Sequence, residues 1–168
     1  MTDSGRQYHL ARHRAAPVIA AVFFILSPAS ADVFLGLNAG PMMIPGNNPT
    51  NAGLSLDVDL DVLYFDMGVA AQLTRTVNDR GNDIEIATNA AYFTVKTAST
   101  IYGKLRVGIL EEEFRIDDES TRENGWSLSG GLGVSIGKIR AEFEYTTGQN
   151  DIDYLGFGIM FLISGANR

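Results

Sequence analysis

The chain has 168 residues, 45% of them hydrophobic and 20% charged, with no cysteine. That is too apolar for a disordered chain and too polar for a bundle of membrane helices, and the missing thiols exclude disulfide frameworks, thiolate zinc sites and cysteine nucleophiles. A formal net charge of −7 argues against nucleic acid as a partner.

The first 31 residues read as a secretory signal peptide. Arg6, Arg12 and Arg14 form a basic start, residues 15–26 are a short apolar run, and Ala29-Ser30-Ala31 matches a small-x-small cleavage site before Asp32. The apolar run is shorter than the ~20 residues a spanning helix needs. Its removal takes three arginines and one aspartate away, leaving 10 Lys and Arg against 19 Asp and Glu, a net of −9. It also takes His9 and His13, the two histidines of the chain. Residues 32–168 therefore lack the side chain on which Ser-His catalysis and His-ligated zinc depend.

From Asp32 onward the dominant period is two, the strand period. A weak alternation over 32–40 comes first. In 53–63, Leu54, Leu56, Val58, Leu60 and Val62 interleave with Ser55, Asp57, Asp59 and Asp61, so one face is aliphatic and the other carries three carboxylates. Weaker alternation continues through 66–77 and 85–95. In 100–110, Ile101, Leu105, Val107 and Ile109 alternate with Tyr102, Lys104, Arg106 and Gly108. Over 125–136, Trp126, Leu128, Leu132 and Val134 alternate with Ser127, Ser129, Gly131 and Gly133. Arg140, Glu142 and Glu144 make the polar face of 138–147, and Tyr154, Gly156 and Gly158 lie on the inner face of 153–163.

Eight strands of about 10 residues suit a tilted crossing of a bilayer. Connections near 64–65, 96–99 and 137 are short. Those at 41–52, 78–84, 111–124 and 148–152 read as longer and polar. Up-and-down order puts the short ones at one end and the long ones at the other, as in outer-membrane barrels. The expected architecture is an all-β, eight-stranded antiparallel up-and-down transmembrane β-barrel over 32–168, behind a signal peptide at 1–31.

A soluble lipocalin-like barrel alternates as well, with the apolar face inside. Three features favour the membrane version. The polar faces are crowded with glycine, which suits a narrow interior. Their charges come as potential pairs: Lys104, Arg106 and Arg140 against Asp57, Asp59, Asp61, Glu142 and Glu144. Tyr64, Phe65, Trp126, Tyr145 and Phe161 gather near strand ends, as interfacial aromatics do.

The run from Gly131-Leu132-Gly133-Val134 through the Gly-Lys turn, Arg-Ala-Glu-Phe-Glu-Tyr, a short Asp-containing loop and Asp-Tyr-Leu-Gly-Phe-Gly to Phe161 resembles the outer-membrane protein beta-barrel domain family, the small OmpA/OmpX-like barrels of Gram-negative bacteria. Tyr102-Gly103-Lys104-Leu105-Arg106-Val107-Gly108 is similar to that family too. The last strand resembles the assembly signal read by the outer-membrane insertion machinery, with Tyr154, Gly156, Ile159 and Phe161 at its spacing. Here Leu162 to Arg168 follow the final aromatic, so either the strand is longer or a polar tail hangs free.

The resemblance implies an outer-membrane location, lipid and lipopolysaccharide as surroundings, and a monomer. Some barrels of this kind are lipid A enzymes that use histidine, which 32–168 lacks. Glu111 to Glu119 reads as a solvated acidic loop rather than a cation site, because it lacks the ordered ligand spacing of one. No metal or cofactor is expected. The functional expectation is a structural or surface-interacting barrel whose lumen is filled by polar and charged side chains. The competing readings are a narrow cation-preferring channel and a soluble periplasmic binding barrel.

Overall fold

The computed structural model describes residues 31–44, 48–78, 84–116, 119–148 and 153–165. The predicted export segment, apart from Ala31, lies outside them. Each period-two run becomes one strand of a single antiparallel sheet: β1 (Ala31–Met43), β2 (Thr50–Val62), β3 (Phe65–Asn78), β4 (Ile84–Thr97), β5 (Ile101–Ile116), β6 (Glu119–Ile136), β7 (Ile139–Gly148) and β8 (Asp153–Ser164). Every strand pairs with its neighbours in chain order, and β1 pairs with β8, which closes the barrel. Closure leaves no edge along the shared height of the wall, the condition for backbone to cross hydrocarbon.

Three tight reversals lie at the end where β1 starts and β8 stops. Leu63-Tyr64 joins β2 to β3 and Gly137-Lys138 joins β6 to β7; Leu63 and Gly137 take positive φ angles of 55° and 59°. Glycine adopts that conformation at no steric cost, whereas leucine does so against its Cβ. At the third reversal, between β4 and β5, the amide of Ala98 donates to the Tyr64 carbonyl at 3.1 Å and ties two reversals together.

At the opposite end the structure corrects one expectation. Residues 111–124 are not a long polar loop: β5 runs on to Ile116, β6 resumes at Glu119, and the two stay paired from Ile101↔Val134 to Ile116↔Glu119. The charges there follow the strand period rather than breaking it. Glu111, Glu113, Arg115 and Arg122 project on one face and pair across strands, with Arg122 2.9 Å from Glu113 and Arg115 3.1 Å from Glu85. Cross-strand ion pairs take the place of apolar contacts in holding the hairpin together. The barrel wall is therefore lopsided. Strands of 16 and 18 residues stand beside a β7 of 10 and a β8 of 12.

The alternation resolves into an inverted core. Asp57, Lys96, Lys104, Arg106 and Glu142 are buried, while Leu54, Ile101, Leu105, Leu132 and Ile136 are exposed, the last at 74%. Tyr64, Phe65 and Phe161 are exposed toward the tight-turn end; Trp126 and Tyr145 are exposed toward the other. Inward glycines make room for large neighbours. A Cβ on Gly133 would sit 2.3 Å from the Tyr102 ring, so the tyrosine lies across the glycine of the adjacent strand.

Candidate functional site

The polar faces of β2, β4, β5 and β7 meet inside the barrel because each contributes alternate residues at matching height. From β2 come Asp57 and Asp59, from β4 Lys96, from β5 Lys104 and Arg106, and from β7 Arg140, Glu142 and Glu144. Asp57 lies 3.1 Å from the Lys96 ammonium, 3.5 Å from Lys104 and 3.2 Å from the Arg106 guanidinium. Asp59 accepts from Lys96 at 2.9 Å and also from Arg140. Glu142 is held by Lys104 and by the Tyr102 hydroxyl, which donates at 2.6 Å. Glu144 takes Arg106 at 3.1 Å and Lys104 at 3.3 Å, and accepts from Ser129.

The network holds as many cations as carboxylates, and that balance is what makes it tenable. A buried charge left alone costs several kcal/mol, whereas one enclosed by opposite charges and hydrogen bonds recovers most of that. Aromatic faces complete the shell. The Arg140 guanidinium lies 3.6 Å from the centre of the Phe34 ring, and that of Arg106 lies 5.4 Å from the centre of Tyr92.

Seven of the eight charged residues named from sequence converge here. Asp61 does not: it sits at the exposed end of β2, opposite Asp66 and next to the tight turn. Sequence reasoning missed Lys96, which is 1% exposed and bridges both aspartates. The predicted strand stopped at Val95. Carrying the Thr88, Tyr92, Thr94 alternation one step further would have placed Lys96 on the inner face.

Above the charges, toward the long-strand end, lies a cavity of about 40 Å³ lined among others by Ser55, Gln72, Arg106, Thr146 and Tyr154. That is room for about one water. A layer of side-chain hydrogen bonds follows. Asn51 donates to the Tyr154 hydroxyl at 2.7 Å, and Thr74 hydrogen-bonds Tyr154 at 2.6 Å and Thr88 at 2.8 Å. Met42 and Ile86 come last, fully buried, with Ile44, Phe114 and Tyr154 packed against them. Thus Tyr154 of the sequence-predicted assembly signal faces inward, as does Gly156, while Ile159 and Phe161 are exposed on the outer face. Beyond Phe161 the strand continues: Leu162 pairs with Phe34, Ser164 with Val33, and the Leu162 amide donates to the Lys138 carbonyl at 2.8 Å.

No protein-family model matches the chain, and no curated protein matches it. Solved structures do. The attachment invasion locus protein Ail of Yersinia pestis is 12% identical with a TM-score of 0.55, covering 79% of this chain and 96% of its own. Neisserial surface protein A is 10% identical with a TM-score of 0.53, over 79% and 97%. The outer membrane enzyme PagL is 15% identical with a TM-score of 0.53, over 77% and 99%. At such identities the likeness is one of fold. The chain has the fold of the small outer-membrane β-barrels that its sequence resembles.

Proposed function

We propose that this chain is an integral outer-membrane β-barrel, exported by a signal peptide cleaved before Asp32, with a structural or surface-interacting role and a lumen closed by its own side chains. The observation that carries the reading is the inversion of polarity. Aliphatic and aromatic residues cover the outside of the wall, while balanced ion pairs fill the inside. In water this arrangement exposes the surface that ought to be buried and buries the charges that ought to be hydrated. A bilayer removes the first cost, and the mutual pairing of the inner charges offsets the second, which sets the reading apart from a soluble binding barrel.

Closure of the lumen is supported by three stacked layers: the ion-pair network, the Asn51–Thr74–Thr88–Tyr154 layer, and the Met42–Ile86 cluster. Eight strands leave an interior just wide enough for side chains to fill. A non-enzymatic role is supported by the lack of histidine in 32–168 and by Asp57, Asp59, Glu142 and Glu144 being engaged by cations. Tyr154, Gly156, Ile159 and Phe161 serve the insertion machinery as the last strand enters, and the barrel acts as a monomer surrounded by lipid and lipopolysaccharide.

The test is envelope fractionation followed by gel migration of the detergent-extracted protein before and after boiling. Recovery in the outer-membrane fraction with a heat-dependent change in migration is the expected result. A protein released with the soluble periplasm would overturn the reading.

A further inference from the structure

The three tight reversals differ in what they present. Leu63-Tyr64 and Gly137-Lys138 are two-residue turns, and the first residue of each holds a positive φ, 55° and 59°. Glycine takes that angle freely and lysine suits water, so the β6–β7 turn is an ordinary solvated one. The third reversal, 98–100, is Ala-Ser-Thr, small and polar. The β2–β3 turn departs on both counts. Leucine holds the left-handed angle against its own Cβ. Leu63 and Tyr64 are also 92% and 79% exposed, the highest values for a large apolar side chain among the described residues. A turn in water gains from neither choice. Backbone strain kept at an exposed position points to a use for the side chain.

The surroundings identify the medium. Directly behind the turn, Val62 pairs with Phe65 and Leu60 with Met67 on the outer wall. Val62, Phe65 and Met67 are exposed, so the apolar surface runs unbroken from the wall to the tip. On the inner face Asp61 stands opposite Asp66, which leaves the outer side alone apolar. The hydrogen bond from the Ala98 amide to the Tyr64 carbonyl, at 3.1 Å, holds the turn beside the next reversal. We propose that Leu63-Tyr64 is a membrane foot. It enters the boundary between headgroups and acyl chains of the inner phospholipid leaflet and seats the β2–β3 side of the barrel at a fixed depth, while the other two reversals stay in water. The leucine supplies apolar area, and the tyrosine an apolar ring whose hydroxyl reaches the headgroups. The inference rests on the outer-membrane reading and adds to it a lipid contact made by a turn rather than by the strand wall.

The chain has no cysteine, so a single introduced cysteine can carry a nitroxide label without background. Leu63→Cys, Tyr64→Cys, Ser99→Cys and Val58→Cys are refolded separately into vesicles of phosphatidylethanolamine and phosphatidylglycerol. Collision of each label with oxygen, which concentrates in hydrocarbon, is compared with collision with a water-soluble nickel chelate. The oxygen-to-nickel ratio at 63 and 64 is expected to exceed that at 99 by at least about threefold, with the highest ratio at 58. Leu63→Asp, combined with the label at 64, keeps a residue that tolerates the left-handed angle but removes the apolar side chain. It should lower the ratio at 64 to that at 99. Heat-dependent gel migration reports that each variant is folded. A low ratio at 58 overturns the outer-membrane reading and the foot with it. A high ratio at 58 with ratios at 63 and 64 equal to that at 99 puts the turn in water and overturns the foot alone. Screening of 63 and 64 from both probes puts the turn against protein, and a ratio at 64 indifferent to Leu63→Asp leaves the leucine without an anchoring role; either result overturns the proposal.

Discussion

Lys96 shows how much a single side chain carries in this interior. It is 1% exposed and lies within 3.1 Å of both Asp57 and Asp59. Lys96→Met keeps most of the volume but takes one partner from each of two buried carboxylates, leaving Asp57 to Lys104 and Arg106 and Asp59 to Arg140, so unfolding in detergent or lipid should show a loss of about 1.5–3 kcal/mol. Asp61→Asn, at an exposed position, should change stability by less than about 1 kcal/mol. A destabilisation of the same size at both positions would argue that the network is hydrated throughout. Glycines give a second contrast. Gly133→Ala must push aside Tyr102 and with it the hydrogen bond to Glu142, at a cost of about 1–3 kcal/mol. At Gly156 an added methyl would meet its nearest neighbour, the Glu144 carbonyl, at 3.8 Å, so Gly156→Ala should fold with close to wild-type stability. Urea titrations of the two variants check the difference.

Strands were legible wherever apolar and polar residues alternated cleanly. The β2 run Leu54 to Val62 needed only the rule that successive side chains point to opposite faces. What stayed hidden were ends built from charge. In β5 and β6 the acidic stretch after Leu110 looked like loop composition, because period two is hard to see when charged residues fall on both faces. Pairing shows that outward Glu111, Glu113 and Arg115 alternate with inward Glu112 and Phe114. Lys96 was lost for the same reason, at the end of β4. Orientation of a whole strand is testable at Val58, which points outward beside Val33 and Val69. Val58→Arg should cost about 2–4 kcal/mol near the bilayer midplane, measured by unfolding in lipid vesicles. For β8, the Leu162 and Ser164 pairings make 162–164 part of the wall. Deleting 166–168 should leave surface levels unchanged. Deleting 162–168 should lower them along with Phe161→Ala, as read by surface labelling of cells. Full tolerance of the longer deletion would mean that the wall ends at Phe161.

For the molecule as a whole, closure was foreseeable from strand number and alternation, because an open sheet in hydrocarbon leaves backbone groups unpaired. Which charges would meet was not, since partners such as Asp59 and Arg140 are separated by 81 positions and come together only through the barrel's curvature. Nor did strand counting foresee that the wall would be taller on one side, a difference that depends on pairings beyond the apolar band.

The central claim is a membrane barrel closed by its own side chains, and electrical recording addresses it most directly. The purified, refolded protein would be inserted into a planar lipid bilayer under an applied voltage. The account predicts no steady conductance above that of the bare bilayer, because ion pairs, the hydrogen-bonded Tyr154 layer and the Met42–Ile86 cluster block the path in series. A stable, ohmic, cation-preferring current from the wild-type protein would contradict it and establish the barrel as a channel.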